Sequence, residues 1–281
     1  MGVLNITPDS FSDGGEFLNR DRAVLSGVLM AKAGASVIDV GGESTRPGSL
    51  PVSPEEEISR VVPVIEALTE TGVRVSCDTS KPEVASLALR AGAVMINDVR
   101  GFRDAKMREA AAKAESAICI MHMRETPETM QIKPDYEDVI DEVKGFLYRQ
   151  AEECEACGIA REKIIIDPGI GFGKNLEHNL SLIANIDIFA EKYPVMIGAS
   201  RKSFLGGITG VEPPKKRLGG SLAVACWAAL KGAYMVRVHD VEETLQAVRT
   251  IKEIRQREYC SSALERPAGE KTIKKPTDGK D

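Results

Sequence analysis

Eight times along the chain a short apolar run rich in Val and Ile stops at polar or charged residues, and this repetition restricts the possible folds more than any single motif does. The runs are VLNIT from Val3, VIDVGGESTR from Val37, VRVSCDTSK from Val73, VMINDVRG from Val94, ICIMHMRE from Ile118, IIIDPGIGFGK from Ile164, VMIGASRKS from Val195 and MVRVHDV from Met235. Runs of four to six apolar residues without polar alternation read as parallel strands buried on both faces. Helical patterns fill the intervals.

Eight strand-helix units in 281 residues predict an α/β fold, a single-domain (β/α)8 TIM barrel over residues 1–258, whose chemistry belongs at the carboxyl ends of the strands. The rim then collects Asn5, Asp39, Glu43, Thr45, Arg46, Asp78, Asn97, Asp98, His122, Asp167, Lys202, Arg237 and His239. Helix punctuation agrees. Gly34, Gly72, Gly92, Gly158 and Gly232 each stand just before a run, where a left-handed helix stop is wanted. Ser53-Pro54-Glu55-Glu56 and Ser80-Lys81-Pro82-Glu83 read as capping boxes, with Asp240 and Glu243 a weaker third. Val241, Leu245, Val248, Ile251 and Ile254 form a helical stripe suited to a barrel exterior.

With 43% apolar residues and a net charge of -5, the composition is that of a soluble protein with a substantial core and gives no sign of nucleic-acid binding. An anionic substrate remains compatible, because Arg46, Arg100, Lys174, Arg201, Lys202 and Arg237 lie near the predicted rim and local sign outweighs the total. The six cysteines show no regular framework, which points to a reducing compartment and a cytoplasmic protein. Cys154-x-x-Cys157 falls inside a helical pattern and reads as structural. No run approaches the roughly 18 apolar residues of a membrane span, and no secretory signal opens the chain. Met1 and Gly2 lead directly onto the first strand, leaving little upstream chain to close the barrel floor. Residues 259–281 are polar and are expected to form a disordered tail.

The motifs differ in weight. Asp167-Pro168-Gly169-Ile170-Gly171-Phe172-Gly173-Lys174 places a carboxylate at a strand end beside three glycines that let backbone approach a ligand. Such a carboxylate can accept two parallel N–H bonds from a flat guanidine-like edge. Asp78 and Asn97-Asp98 end adjacent strands and should converge, as a metal site, an acid-base pair or a cradle for a nitrogen-rich ring. Asp98 has a second reading, binding loop amides. Ser200-Arg201-Lys202-Ser203 and Arg237-Val238-His239 follow the seventh and eighth runs, where such barrels often bind phosphate. His122 reads equally as a ligand contact or a packed histidine. Phe11, alone in the polar loop Asn5 to Gly15, suggests a lid over a flat substrate, and Glu43 to Gly48 makes a second such loop.

These motifs, in this order, resemble the dihydropteroate synthases, a pterin-binding barrel family of folate biosynthesis. The match runs from Met1 to about Ile254 through GVLNITPDSFSDGG, IDVGGESTRPG, CDTSKPEVA, INDVRG, MHMRETPETMQ, DPGIGFGK, SRKSFLG and RVHDV. The resemblance implies a transferase joining 6-hydroxymethyl-7,8-dihydropterin diphosphate to p-aminobenzoate, with release of diphosphate. It implies a pterin pocket of Asp78, Asn97, Asp167 and Lys202, and a diphosphate site of Asn5, Thr45, Arg237 and His239, with Asn5 holding Mg²⁺. Phe11, Thr45, Arg46, Pro47 and Ser203 would order the loops and the p-aminobenzoate site, and Asp78, Lys202, Arg237 and His239 would carry catalysis. A homodimer is the usual family assembly. Arg124-Glu125 departs from the Gln-Gly often found there. Two other readings share parts of the pattern: a methyltetrahydrofolate-dependent methyltransferase, which expels no diphosphate, and a non-catalytic pterin-binding paralogue.

Overall fold

All eight apolar runs form parallel strands, because side chains that alternate across a strand here have a hydrophobic environment on both sides. The computed structural model describes residues 1–6, 16–44, 49, 51–124 and 135–257. The strands are β1 (Gly2–Asn5), β2 (Ile38–Gly41), β3 (Val75–Asp78), β4 (Met95–Asp98), β5 (Ala117–Met121), β6 (Ile164–Asp167), β7 (Met196–Ile197) and β8 (Met235–Val236). Between them lie α1 (Glu16–Lys32), α2 (Pro54–Glu70), α3 (Pro82–Arg90), α4 (Ala105–Lys113), α5 (Val139–Ala156), α6 (Leu176–Ala184), α7 (Ile186–Phe189), α8 (Ser203–Thr209) and α9 (Leu218–Leu230), and α10 (Val241–Arg255) follows β8.

Strands β1 to β6 pair in sequence order and β7 pairs with β8. Single bridges join the two sets, Ile166 to Val195 and Gly2 to Val238. The Ile166 amide donates to the Pro194 carbonyl at 2.9 Å, Val3 N–H to the Val238 carbonyl at 2.9 Å, and Val238 N–H to the Met1 carbonyl at 3.0 Å. The sheet therefore closes on itself as a (β/α)8 barrel. The expected tail, residues 259–281, lies outside the described residues.

Alternation sorts the side chains. Leu4, Ile38, Val40, Val75, Ile96, Ile118, Ile120, Ile164, Ile166, Val195 and Ile197 pack outward against the helices in one continuous core. The intervening positions point inward, and Met1, Val37, Met95, Cys119, Ile165 and Met196 form a separate apolar plug. That plug is the floor. Above it, the same inward parity carries Asp39, Asp78, Asn97, Asp167 and Arg237 toward the carboxyl end.

The five predicted helix-stop glycines all have positive φ, from 81° at Gly72 to 103° at Gly34 and Gly92. Ser53 caps α2, accepting the Glu56 N–H at 3.2 Å with Pro54 in the first turn. The second capping box does not form: α3 starts after Lys81, whose side chain makes no capping bond. Asp240 does not cap α10 either, because its carboxylate is engaged by Arg201. Among the described residues no helix is long and apolar enough to cross a membrane, and Cys77, Cys119, Cys154, Cys157 and Cys226 are free thiols.

Gly169 tests how tightly the β6 loop is seated. Its φ is +69°, and a Cβ there would lie 1.9 Å from the His122 carbonyl oxygen. Gly169→Ala adds both left-handed strain and a backbone clash, a cost of about 2 kcal/mol or more. Its melting temperature should fall by about 4–8 °C; an unchanged melt by calorimetry would show that the loop lifts freely.

Candidate active site at the carboxyl end of the barrel

Register places the acidic wall. Asn5 is the pairing partner of Gly41, Gly41 of Asp78, and Asp78 of Asn97. Gly41 leaves room in this row, since a Cβ on it would stand 3.4 Å from Asp78 Cβ and 3.6 Å from Asp78 Oδ2. From across the barrel, Arg237 donates from Nη2 to Asp78 Oδ2 at 2.7 Å and from Nε to Asp39 Oδ2 at 2.6 Å. Asn97 Nδ2 donates to the same Asp39 oxygen at 3.0 Å. Asp39 is fully buried, and its Oδ1 and Asn97 Oδ1 have no hydrogen-bond partner among the described residues.

One guanidinium lies between the Asp39 and Asp78 carboxyls. Loss of solvent raises Asp78 most, Arg237 opposes it, and Asp39, Glu57 and Asp98 add to it, so its pKa is lifted to about 7. Burial works against the Arg237 charge, but Asp39 and Asp78 outweigh it and keep that pKa above the ordinary value. Perturbation of this size is enriched at functional sites.

The second wall is the loop after β6. Asp167 Oδ1 accepts the Gly169 N–H at 2.7 Å. A Cβ on Gly198, just past β7, would stand 3.7 Å from Asp167 Oδ2 and 3.8 Å from Arg237 Cβ, so these two side chains approach each other over Gly198. Lys202 donates to the Ile170 carbonyl and lies 4.5 Å from the Phe172 ring centroid. Burial lowers its pKa to about 8 despite Asp167, and burial likewise raises that of Asp167 against the pull of Lys202. The predicted convergence of Asp78, Asn97, Asp167, Lys202 and Arg237 is present.

His239 closes the rim on the β8 side. Its N–H donates to Ser200 Oγ at 3.2 Å, and Nδ1 lies 3.1 Å from the same oxygen. Ser203 is exposed at the start of α8, and Asn5 is half-buried at the end of β1. Phe11, Thr45, Arg46 and Pro47 lie outside the described residues.

Several charged residues serve the frame. Asp98 accepts the Arg100 and Phe102 amides, both at 2.8 Å, which resolves its two readings in favour of the loop. Arg201, in a left-handed turn at φ 61°, places Nε 3.0 Å from Asp240 Oδ2, so loop seven is tied to loop eight and Lys202 alone of the two cations turns inward. Lys174 is buried, with Nζ 3.0 Å from His122 Nδ1 and 2.9 Å from the Phe172 carbonyl. Burial takes its pKa down to about 7, and burial with Lys174 beside it takes His122 to about 2. His122 is thus a packed neutral histidine. Arg124 stacks 4.6 Å from the Tyr136 ring centroid, a surface role for this departure from the motif.

Sequence reasoning missed an ion cluster at Glu43, where the second rim loop begins, in which Glu57 is fully buried. Lys81 Nζ pairs with Glu43 at 2.7 Å and with the fully buried Glu57, while Glu43 Oε1 accepts the Val52 N–H at 2.9 Å. Both feet of that loop are therefore held. The signal was the pair of motif residues Glu43 and Lys81; Glu57 sits in an ordinary helix and gave none.

A family model described as "Pterin binding enzyme" matches residues 1–239. The chain is 50% identical over 254 residues to dihydropteroate synthase of Escherichia coli K12, covering 90% of each. Yersinia pestis dihydropteroate synthase, solved with a sulfonamide drug, superposes with a TM-score of 0.86 at 46% identity, covering 91% of this chain and 94% of that one. The Xanthomonas albilineans enzyme in complex with 7,8-dihydropteroate gives 0.83 at 40% identity, over 91% and 92%.

Asp78 gives a signed pH effect. Its carboxyl ionises near pH 4 in the unfolded chain but holds its proton to about 7 when folded, so the folded state binds more protons in between. Stability due to this group is present at low pH and is lost as pH rises through about 7. Chemical denaturation of wild type and Asp78→Asn should show wild type losing ground to the variant between acidic and neutral pH. A gap that does not change with pH would reject the shift.

Proposed function

The chain belongs to the pterin binding enzyme family, and we propose that it catalyses the dihydropteroate synthase reaction, transferring a pterinylmethyl group from 6-hydroxymethyl-7,8-dihydropterin diphosphate to p-aminobenzoate. The supporting observation is that Asp167, whose Oδ1 alone is taken by the Gly169 N–H, and the side-chain stem of Arg237, whose guanidinium is held by Asp39 and Asp78, meet at Gly198. A flat ring with a guanidine-like edge suits the first and a departing anion suits the second. The relatives in Escherichia coli and Xanthomonas albilineans are dihydropteroate synthases, the second solved in complex with 7,8-dihydropteroate.

Each group has a task in this reading. Asp167 accepts the amino-pyrimidine N–H donors through Oδ2, Asn97 offers Oδ1 to a ring donor, and Lys202 donates from the opposite side. Arg237 and His239, with Thr45, hold the diphosphate. As the methylene C–O bond breaks, both electrons leave on diphosphate, and the Asp78 carboxyl, ionised above about pH 7, faces the positive charge left on the pterin. The arylamine nitrogen then bonds to the methylene carbon and releases a proton to solvent. Phe11, Thr45, Arg46, Pro47 and Ser203 order the p-aminobenzoate side.

Mg²⁺ fits as a partner of the substrate. Among the described residues no group of three or more His, Cys, Asp or Glu could hold a metal, whereas Asn5 offers one hard amide oxygen in the Asp78 row. Magnesium commonly takes one or two protein oxygens and completes its shell with phosphate and water. Bound there, it would neutralise charge on the leaving diphosphate.

The enzyme works in the cytoplasm as a homodimer in this reading. Leu176 and Leu180 on α6, Ile208 on α8 and Trp227 on α9 are exposed large apolar residues on neighbouring helices, a face suited to a second copy. Ile208→Glu should convert the dimer to a monomer by light scattering; a monomeric wild type would remove that part of the reading.

The decisive assay incubates the purified chain with dihydropterin diphosphate, p-aminobenzoate and Mg²⁺ and detects dihydropteroate and diphosphate. Turnover should depend on Mg²⁺. Asp78→Asn should lower it by about 10²-fold or more while staying folded at the assay temperature. Near-native turnover of that variant, or no product from wild type, would sink the reading.

A further inference from the structure

Asp39 lies one pairing row below Asp78, at the level of Val3 and Ser76, and no motif logic assigned it a task. Its side chain is inaccessible to solvent. One oxygen, Oδ2, takes donors from two other strands: Arg237 Nε at 2.6 Å and Asn97 Nδ2 at 3.0 Å. Asp78 differs, accepting Arg237 Nη2 at 2.7 Å from the row above.

A carboxylate accepts and cannot donate. Beside it, Asn97 has to turn its NH₂ inward, which leaves Oδ1 as the group it can offer elsewhere. That oxygen is buried without a hydrogen-bond partner among the described residues. The same carboxylate fixes the guanidinium plane, because Nε and Nη2 bind acids on two different strands and the fork cannot rotate without losing one.

We infer that Asp39 is a positioning residue for the reaction proposed above: it dictates that Asn97 presents an acceptor to the bound ring and it holds Arg237 in line with the leaving group. It does so without touching the substrate. An asparagine at position 39 could meet Asn97 with either end of its amide, so the acceptor facing the ring would no longer be specified, and Arg237 would rest on Asp78 alone.

The test compares wild type with Asp39→Asn and Asp39→Glu. Steady-state kinetics vary dihydropterin diphosphate and p-aminobenzoate separately, and calorimetry measures binding of free pterin. For Asp39→Asn the KM for dihydropterin diphosphate should rise and free-pterin affinity should fall by about 10-fold, with kcat lowered and the KM for p-aminobenzoate unchanged. A merely structural residue would lower the melting temperature and the active fraction and leave both KM values alone. Should Asp39→Asn fail to fold, Asp39→Glu keeps the charge and displaces it by one methylene, and the same split between the two KM values is expected. Unchanged free-pterin affinity and KM in the folded variant overturn the inference. A wild type that binds pterin but makes no dihydropteroate counts against the reaction, and the calorimetric comparison still decides the role of Asp39.

Discussion

Closure of the sheet between its last strand and its first is the constraint on which everything else rests. It depends on a few backbone bonds, with Val238 accepting from Val3 and donating to Met1, while β7 and β8 are only two residues long each. Without that seam the Arg237 guanidinium, 198 residues from Asp39 and 159 from Asp78, would have no acid to meet. Closure also explains why the floor is apolar. Inward side chains at the amino end have only one another for company, so Met, Cys and Ile fill that end and the ionisable groups collect at the end that opens to loops.

Concentrating charge in that mouth has electrostatic consequences. Burial pushes the carboxyls of Asp78 and Asp167 up and the amines of Lys174 and Lys202 down, which brings Asp78, Lys174 and Lys202 within reach of neutral pH. The charged form of each depends on its neighbours, and an arriving ligand with an anionic tail and a donor-rich ring would supply what both walls lack. The site is polarised before any substrate arrives, and this is the condition under which electrostatic stabilisation is most effective.

Much of the surrounding ionic structure has the task of holding loops. Lys81 between Glu43 and Glu57 grips the second rim loop, Arg201 with Asp240 joins the seventh to the eighth, and Lys174 stitches the sixth to His122. Removing Lys81 would leave the fully buried Glu57 carboxylate without its partner, which is far costlier than losing a surface pair.

The sequence alone determined the strand count, the order of the strands and the end of the barrel that carries chemistry, because apolar runs ending in charge reflect local alternation and burial. Asp78, Asn97 and Asp167 were readable for the same reason, each being the first polar residue after a buried run. Tertiary structure decided which charges face the ligand space and which are spent on the frame. Asp98 binds loop amides, Arg201 is taken by Asp240, His122 is packed neutral against Lys174, and Asp39 serves Arg237 and Asn97. A residue type at a strand end states only what a side chain can do. Its partner, supplied from another strand by ring closure, settles what it does.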